Sequence, residues 1–311
     1  MASPSEVEVV AVVLNWRQPA ITESVCRDFV AQGEEGWGLV VIDNGSGDGS
    51  VDRLRSLVAG LPRSELIEAQ ENLGYCKGCN LGIGRAKALG ARYVLLLNND
   101  MQLPEGSVRP LVDALDNDPQ LSAVGPTILD PKGRCWSQGG GIRLRANLVT
   151  LHNEGGEPEP VTAGPEPVSF LPGACALYRL DALEAVGGLD ESYFMYWEDV
   201  ELGERIRARG GKVAWLPWTR VTHDTSASSG GGVSALRKYL CALNQMRWLR
   251  RHGRVQHWLS TLLLDFLLWP LSLGSGTHAA WAKLRGLIDG LRGIAPGPRS
   301  VERWTGASRS R

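Results

Sequence analysis

The sequence predicts an α/β fold with a mostly parallel central sheet flanked by helices and followed by a C-terminal helical extension. Three observations lead there. Apolar, β-leaning runs alternate with helical patterns from residue 8 to residue 100, the arrangement that right-handed crossovers turn into a parallel sheet. The run Tyr93-Val94-Leu95-Leu96-Leu97 passes unbroken into Asn98-Asn99-Asp100, as a strand buried on both faces does when its carboxyl end opens onto a site. From Ser234 onward the chain reads as helices.

Taken in order, Glu8 to Leu14 is the first expected strand and Asn15-Trp16-Arg17 its closing loop, after which Pro19 opens a helix carried by Ile21 to Val30. Gly36 to Asp43 is the second strand. The glycines of Asp43-Asn44-Gly45-Ser46-Gly47-Asp48-Gly49-Ser50 permit a sharp turn, and Ser50 is placed to cap a helix over Val51 to Ala59. A short strand over Glu65 to Ala69 leads through Asn72-Leu73-Gly74 to a Gly-rich helix through Asn80 to Leu89, and then to the strand ending at Asp100. Parallel strands deliver their carboxyl ends to one edge, so Asp43 and Asp100 are expected on a common rim, where open α/β sheets bind ligands.

Past Asp100 the expected elements are a helix over Ser107 to Asp116 and a strand over Leu121 to Pro126. Gly133 to Pro167, rich in Gly, Pro and Glu, reads as variable loops suited to shaping a second substrate pocket. Val168 to Tyr178 resumes order around Gly173-Ala174, where small side chains allow close backbone approach. A helix over Leu180 to Val186 precedes the aromatic run Tyr193 to Trp197, the pair Glu198-Asp199 and a helix over Val200 to Arg209. Lys212 to Val221 is a strand with His223 beyond it, and Asp224 to Gly232 reads as a mobile Ser/Gly-rich segment. Helices are expected over Ala235 to His252, Val255 to Leu273 and His278 to Leu291, with a frayed tail after Pro296.

Composition narrows the function. With 311 residues and 43% hydrophobic content the chain can build a full core. Its 33 Lys and Arg against 34 Asp and Glu leave a formal charge of -1, which gives no global electrostatic argument for nucleic acid; an anionic ligand must be gripped locally. No Gly-x-Gly-x-x-Gly follows the first strand and no P-loop motif occurs, so neither usual phosphate cradle is available. The 6 cysteines are scattered and fit a reducing compartment. Cys76-Lys-Gly-Cys79 has a metal-knuckle spacing without a second pair, which favours packing residues and leaves zinc as the alternative. Met1 to Val7 lacks the basic and apolar regions of a signal peptide, so a cytoplasmic protein is expected. Trp258 to Leu273 is short for a bilayer span and contains Asp265 and Pro270.

Four polar clusters carry the chemistry: Asp43 with its turn, Asp100, Glu198-Asp199, and His223. A carboxylate at one strand end and an imidazole beyond another could hold Mg²⁺ or Mn²⁺ and neutralise a diphosphate leaving group. Asp199, at a helix N-terminus, is expected to be kept ionised by the dipole and to take a proton from an attacking hydroxyl behind the aromatic wall. Each member also has a plainer reading. Asn-Asn-Asp can be a loop cap, acids at a helix start can be dipole partners, a lone histidine can be filler, and an aromatic run can be core. The joint order, rather than any one member, favours the active reading.

These residues resemble a family. Asn15, Ile42-Asp43-Asn44-Gly45-Ser46 with Asp48-Gly49-Ser50, Asn72-Leu73-Gly74-Tyr75 with Asn80-Leu81-Gly82, Leu97-Asn98-Asn99-Asp100, Leu171-Pro172-Gly173-Ala174, Gly188-Leu189-Asp190-Glu191, Phe194 to Arg205 and His223 look like bacterial family 2 glycosyltransferases of the GT-A fold. The match runs from about Val7 to Ser228. Tyr239 to His252 is similar to the segment that follows the catalytic domain in the rhamnosyltransferase-like branch. The resemblance implies a catalytic domain over residues 1–232, with a nucleotide-sugar half at 7–100 and an acceptor half at 101–232, then a helical region at 233–311. It implies an inverting transferase that uses a nucleotide-diphospho-sugar donor. Asn15, Asp43, Asn44, Asn72, Gly74, Asn80, Asn98 and Asn99 would line the donor site. Asp100 and His223 would hold Mg²⁺ or Mn²⁺, Asp199 with Glu198 would form the catalytic pair, and Gly173, Ala174 and Trp197 would border the acceptor. Asn98 stands where the fuller motif has Asp, and a neutral amide is a poorer ligand for a hard cation.

The function this implies is transfer of a sugar, foremost L-rhamnose from dTDP-rhamnose, to a saccharide or lipid-linked acceptor in cell-surface polysaccharide or glycolipid assembly. Nucleotidyl transfer would leave Glu198-Asp199 unexplained, and a non-catalytic nucleotide-sugar binder or scaffold of the same fold is the other alternative. Trp248, Trp258 and Trp269 with Arg247, Arg250, Arg251 and Arg254 suggest an amphipathic surface for peripheral contact with an anionic membrane; a homodimer interface or packing on the catalytic domain are the competing readings.

Overall fold

Side-chain alternation along the parallel strands divides the core into two layers. In the computed structural model, which describes residues 7–159, 164–224, 234–297 and 303–304, the first strand β1 (Val9–Asn15) sends Val10 and Val12 to one face and Val9, Ala11 and Val13 to the other. Helix α1 (Pro19–Val30) returns the chain to β2 (Gly38–Asp43), α2 (Ser50–Ala59) to β3 (Ser64–Glu68), and α3 (Tyr75–Ala88) to β4 (Tyr93–Asn98). The remaining elements are β5 (Met101–Gln102), α4 (Arg109–Asn117), β6 (Leu121–Leu129), β7 (Cys135–Ser137), β8 (Gly140–Ile142), β9 (Val149–Leu151), β10 (Glu166–Pro167), β11 (Cys175–Arg179), α5 (Leu180–Val186), α6 (Glu198–Ala208), β12 (Lys212–His223), α7 (Ala235–His252), α8 (Val255–Thr261) and α9 (Thr277–Leu291).

The main sheet has the order β10-β12-β6-β11-β4-β1-β2-β3, with β5 on β12 and β7 on β6, and β8 and β9 form a separate hairpin. β4, β1, β2 and β3 are mutually parallel, whereas β11 runs antiparallel between β4 and β6. The predicted mostly parallel sheet is present. Register does the positioning: Asn15 pairs with Asp43 across β1 and β2, and Leu14 pairs with Asn98 across β1 and β4. The polar residues that end these three strands therefore stand in a row.

One layer packs α1, α2 and α4 through Phe29, Leu54 and Leu111; the other packs α3, α5, α6 and α7 through Ile83, Leu183, Ile206 and Trp248. Cys76 and Cys79 belong to this second layer as buried free thiols, and burial pushes both thiols up. Among the described residues no group of three or more His, Cys, Asp or Glu is placed to hold a metal.

The structure revises several expected boundaries. Ser50 is the first residue of α2 rather than its cap: Gly49, at φ 85°, holds the cap position, and Asp48 Oδ1 accepts from Ser50 N at 3.1 Å. His223 is the last residue of β12, not a residue beyond it. The helix expected over Val255 to Leu273 ends at Thr261, continues as a π-helical turn over Leu262–Leu267, and becomes 3₁₀-helical over Trp269–Ser275. Pro270 explains the change to 3₁₀ after Leu267, since it has no N–H to donate to Phe266 within an α-helix. The expected mobile stretch lies outside the described residues from 225 to 232, as do residues 298–302 and 305–311 of the tail.

Two glycines of α3 let the helix lie directly on the sheet. A Cβ on Gly82 would sit 2.4 Å from Val12 Cγ1, and one on Gly78 2.1 Å from Leu14 Cδ1. Gly82→Ala gains about 1 kcal/mol in helix propensity but overpacks the α3 interface at a cost of about 1–3 kcal/mol. Urea unfolding is expected to show a net loss of up to about 2 kcal/mol.

Candidate active site

The strand-end row is bound into a preorganised rim. Asn15 Nδ2 donates to Asp43 Oδ2 at 2.8 Å and to Ser46 Oγ at 3.2 Å, while Ser46 N and Oγ donate to the Asp43 carboxylate at 3.0 and 2.6 Å. Thr22 Oγ1 in turn donates to Asn15 Oδ1 at 2.8 Å. Asn15 and Asp43 are fully buried, so these bonds satisfy groups that would be costly to leave unpaired. The turn after β2 is locked to the next loop: Leu73 N donates to Asn44 Oδ1 at 3.0 Å, and Gly74 N to Asn72 Oδ1 at 2.9 Å. Asn99 reaches back to Thr22 Oγ1 at 3.1 Å. Asn15, Asp43, Asn44, Asn72, Gly74, Asn98 and Asn99 thus form one connected edge.

Asn80 does not join them. Helical period turns Gly78 and Gly82 toward the sheet and Asn80 away from it, where its amide brackets Leu189, donating to Leu189 O at 2.9 Å and accepting from Leu189 N at 3.0 Å. Its expected place in the donor site is corrected to a brace for the loop before Glu191.

Asp100 and His223 meet as expected. His223 Nε2 lies 3.0 Å from Asp100 Oδ1, both side chains are buried, and the edge of Trp136 packs on the imidazole at 4.5 Å. His223 Nδ1 is buried without a protein partner. A carboxylate oxygen beside an imidazole nitrogen is a donor set suited to a hard divalent cation, and Asp100 and His223 would be the residues that hold one.

The carboxylate of Asp199 faces this rim through one turn of chain. Gly173 N donates to Asp199 Oδ2 at 3.2 Å, Asn98 N donates to Ala174 O at 2.8 Å, and Tyr75 Oη donates to Gly173 O at 2.7 Å. Gly173-Ala174 is therefore the bridge between the candidate base, the end of β4 and the start of α3. Val200 N also donates to Asp199 Oδ1 at 2.8 Å.

Glu198 is placed differently from expectation. It is buried, its Oε2 has no partner, and Tyr75, Cys76, Cys79 and Tyr178 are close enough to feel its charge. A carboxyl sunk in that setting is not placed to meet an acceptor hydroxyl, whereas Asp199 is the member of the pair bonded to the Gly173 turn. Burial, then the charge of Asp199, pushes Glu198 up. Burial also pushes Asp199 up, against the lowering effect of the Val200 and Gly173 N–H groups. The helix dipole does not keep Asp199 at an ordinary carboxylate value, because desolvation outweighs it. As residues, Asp199 is half-buried and Glu198 buried.

The strap before this pair is strained and clamped. Tyr196 and Trp197 adopt φ 70° and 73°, a region that side chains other than glycine occupy at a cost of about 1–3 kcal/mol. Asn244 of α7, fully buried, donates to Met195 O at 2.9 Å and Tyr196 O at 2.8 Å. Trp197 packs against Trp248 at 5.9 Å, and Phe194 O accepts from Tyr75 N at 2.7 Å. Trp197 is buried under α7, which corrects its expected place on the acceptor side. Asn244 and Tyr75 are positioning residues to which sequence reasoning assigned no role; both lay in segments already singled out, but a lone amide in a helix carries no local signal.

A parallel sheet with a polar carboxyl rim, an Asp-His pair and a carboxylate at a helix start defines the GT-A class of sugar-transferring fold. Solved structures agree in fold: a mannosyltransferase from Pyrobaculum calidifontis in complex with GDP-Man and Mn²⁺ superposes with TM-score 0.56 at 17% identity over 97% of this chain and 80% of its own. S. aureus TarS residues 1–349 gives 0.59 at 12% over 96% and 83%. GalNAc-T7 with UDP, GalNAc and Mn²⁺ gives 0.55 at 14% over 88% of this chain, which spans 59% of that one. The chain belongs to glycosyl transferase family 2, whose model matches residues 11–187. Curated relatives include an N-acetylglucosaminyl-diphospho-decaprenol L-rhamnosyltransferase of Mycobacterium tuberculosis, 31% identical over 62% of this chain and 68% of its own. Another is galactofuranosyltransferase GlfT1 of the same organism, 29% identical over 65% of each.

Two outcomes are expected. Asn244→Leu removes both strap bonds and costs about 2–3 kcal/mol; turnover falls while donor KM changes little, which steady-state kinetics will read. Glu198 has a folded pKa raised above its unfolded value, so its ionisation withdraws stability as pH rises through that folded value. Glu198→Gln is expected to lift Tm by about 2–4 °C in alkaline buffer and to leave it near wild type in acid, as calorimetry across pH will show.

Proposed function

We propose that the chain is an inverting glycosyltransferase that moves a sugar, foremost L-rhamnose from dTDP-rhamnose, to a hydroxyl of a saccharide or lipid-linked acceptor in bacterial cell-surface polysaccharide or glycolipid assembly. The observation that carries this reading is the placement of Asp199: its carboxylate is held by Gly173 N, and Gly173-Ala174 is bonded to the strand end that leads into Asp100. A base and a diphosphate-binding pair on opposite sides of one turn are the parts that an in-line displacement at a sugar C1 needs.

The chain's own residues divide the work. The Asn15–Asp43–Ser46 network and the Asn44–Asn72 lock hold the rim in shape for the donor nucleotide, so little ordering remains when the donor binds. Asp199 takes the proton of the acceptor hydroxyl as its oxygen bonds to C1, and the C1–O bond to the diphosphate breaks with its electron pair on the leaving group. Asp100 and His223 would hold Mg²⁺ or Mn²⁺, which when bound offsets charge on the diphosphate. Attack opposite the leaving group inverts the anomeric centre.

The rhamnosyl assignment is supported by the Mycobacterium tuberculosis relative at 31% identity, and galactofuranose is the competing sugar because GlfT1 aligns with a similar share of the chain. A thermal-shift panel of nucleotide-sugars with Mn²⁺ separates them, since a ligand that binds only the native state raises apparent stability. The largest shift is expected with dTDP-rhamnose.

Asp199→Asn is expected to bind donor as the wild type does and to lose about 10²–10⁴-fold in turnover. Isothermal titration and a transfer assay read the two effects separately; undiminished transfer would favour a nucleotide-sugar binder of this fold. The raised Asp199 pKa places the acid limb of the kcat/KM profile above the ordinary carboxylate range, with activity lost as pH falls through it.

A further inference from the structure

The segment after α7 is built inside out. In α8 and the π-helical turn that continues it, Trp258 and Phe266 pack part-buried on the core, but the most deeply buried side chains are polar: Thr261 and Asp265 are fully buried, and Gln245 Nε2 donates to Thr261 Oγ1 at 3.0 Å and Asp265 Oδ2 at 2.8 Å. Lys283 Nζ pairs with Asp265 Oδ1 at 2.7 Å, and Asn147 N donates to both Asp265 oxygens at 3.1 Å. The outward positions are leucines. Val255, Leu259, Leu263, Leu267 and Leu271 recur every four residues and are 76%, 61%, 53%, 67% and 77% exposed, with Trp281 of α9 at 57%. A surface helix facing water shows the opposite arrangement, and a contiguous outward apolar face of this kind marks an interaction site.

Charge identifies the partner. Residues 234–297 contain nine Lys and Arg against two acids, Asp265 and Asp289. Both acids are buried and paired, Asp289 Oδ2 accepting from Arg285 Nε at 2.9 Å. No carboxylate of this region faces outward among the described residues, while Arg250, Arg254 and Arg292 do. No described helix is long and apolar enough to cross a membrane. An exposed leucine stripe on a segment whose own outward charges are all cationic suits a surface with an apolar interior and anionic head groups.

We propose that residues 255–281 form a platform on which the protein rests on an anionic lipid bilayer. The earlier tryptophan expectation is redistributed: Trp248 is buried, and Trp269 Nε1 donates to Ala280 O at 2.8 Å, so leucines and Trp281 make the contact. The Asn147–Asp265 bonds fix the platform to the loop between β8 and β9, in the half expected to take the acceptor. The surface is independent of which sugar is transferred.

Flotation of the full chain with phosphatidylcholine vesicles, with and without phosphatidylglycerol, tests it alongside sedimentation. The wild type is expected to float with anionic vesicles only and less so in high salt, and the Leu263→Gln/Leu267→Gln/Leu271→Gln variant to bind about tenfold more weakly or worse at unchanged Tm. Wild type that stays with the unbound fraction overturns the proposal even if the variant misfolds. So does equal flotation of the two, or a wild-type dimer that the triple variant dissociates without any flotation.

Discussion

The strap from Phe194 to Trp197 is the constraint on which the rest of the site depends. Two consecutive aromatic residues sit in the left-handed region, and such a conformation persists only where surrounding structure over-determines it. Here the surroundings come from two distant parts of the chain and from the helix that follows it. Asn244 and Trp248 hold the strap from α7, Tyr75 N holds Phe194 O from the start of α3, and the first turn of α6 follows directly. Relaxing the strap would rotate the N-terminus of α6 and with it Asp199, so backbone strain at residues 196 and 197 is what aims the carboxylate at the Gly173 turn.

The C-terminal helices therefore belong to the machinery of the site. Trp248, Met246 and Leu287 lie in the same apolar layer as Val10 and Leu96 of the sheet. His252 adds a polar tie, its Nε2 lying 3.3 Å from Glu201 Oε1, and Glu201 is in turn bonded by Arg205 Nε at 2.8 Å. A buried carboxylate held by Arg205 and tied to His252 fixes the angle between α6 and α7 more firmly than apolar contact alone, because each bond is directional and loss of Arg205 would leave an uncompensated charge.

What was legible in the sequence followed from periodicity and strand order. Unbroken apolar runs ending in Asn15, Asp43 and Asn98 named the rim, because parallel topology fixes where strand ends go, and the register places those residues side by side. Local patterns could not show which way a side chain turns once tertiary packing intervenes. Asn80 and Gly82 are two positions apart on one helix, yet one faces a loop and the other the sheet. Glu198 and Asp199 are adjacent and looked equivalent, but one points into the core and the other to the turn. The pull of the dipole on Asp199 was a correct local force overruled by desolvation, which depends on residues far away in sequence. The break at Pro270 was visible as a residue; that the helix before it would turn polar atoms inward was not, because the partners Gln245, Lys283 and Asn147 come from three other segments.

Gly74 shows how tightly the strand-end rim and the strap are joined. Its φ of 81° and the 2.6 Å that would separate a Cβ from Phe194 O leave room for hydrogen alone. The loop that holds Asn72 therefore lies in van der Waals contact with the strap, with little between them to absorb a displacement. A shift of residues 72–75 is passed without slack to the residues that orient Asp199. In such a joint, position on one side is felt as alignment on the other.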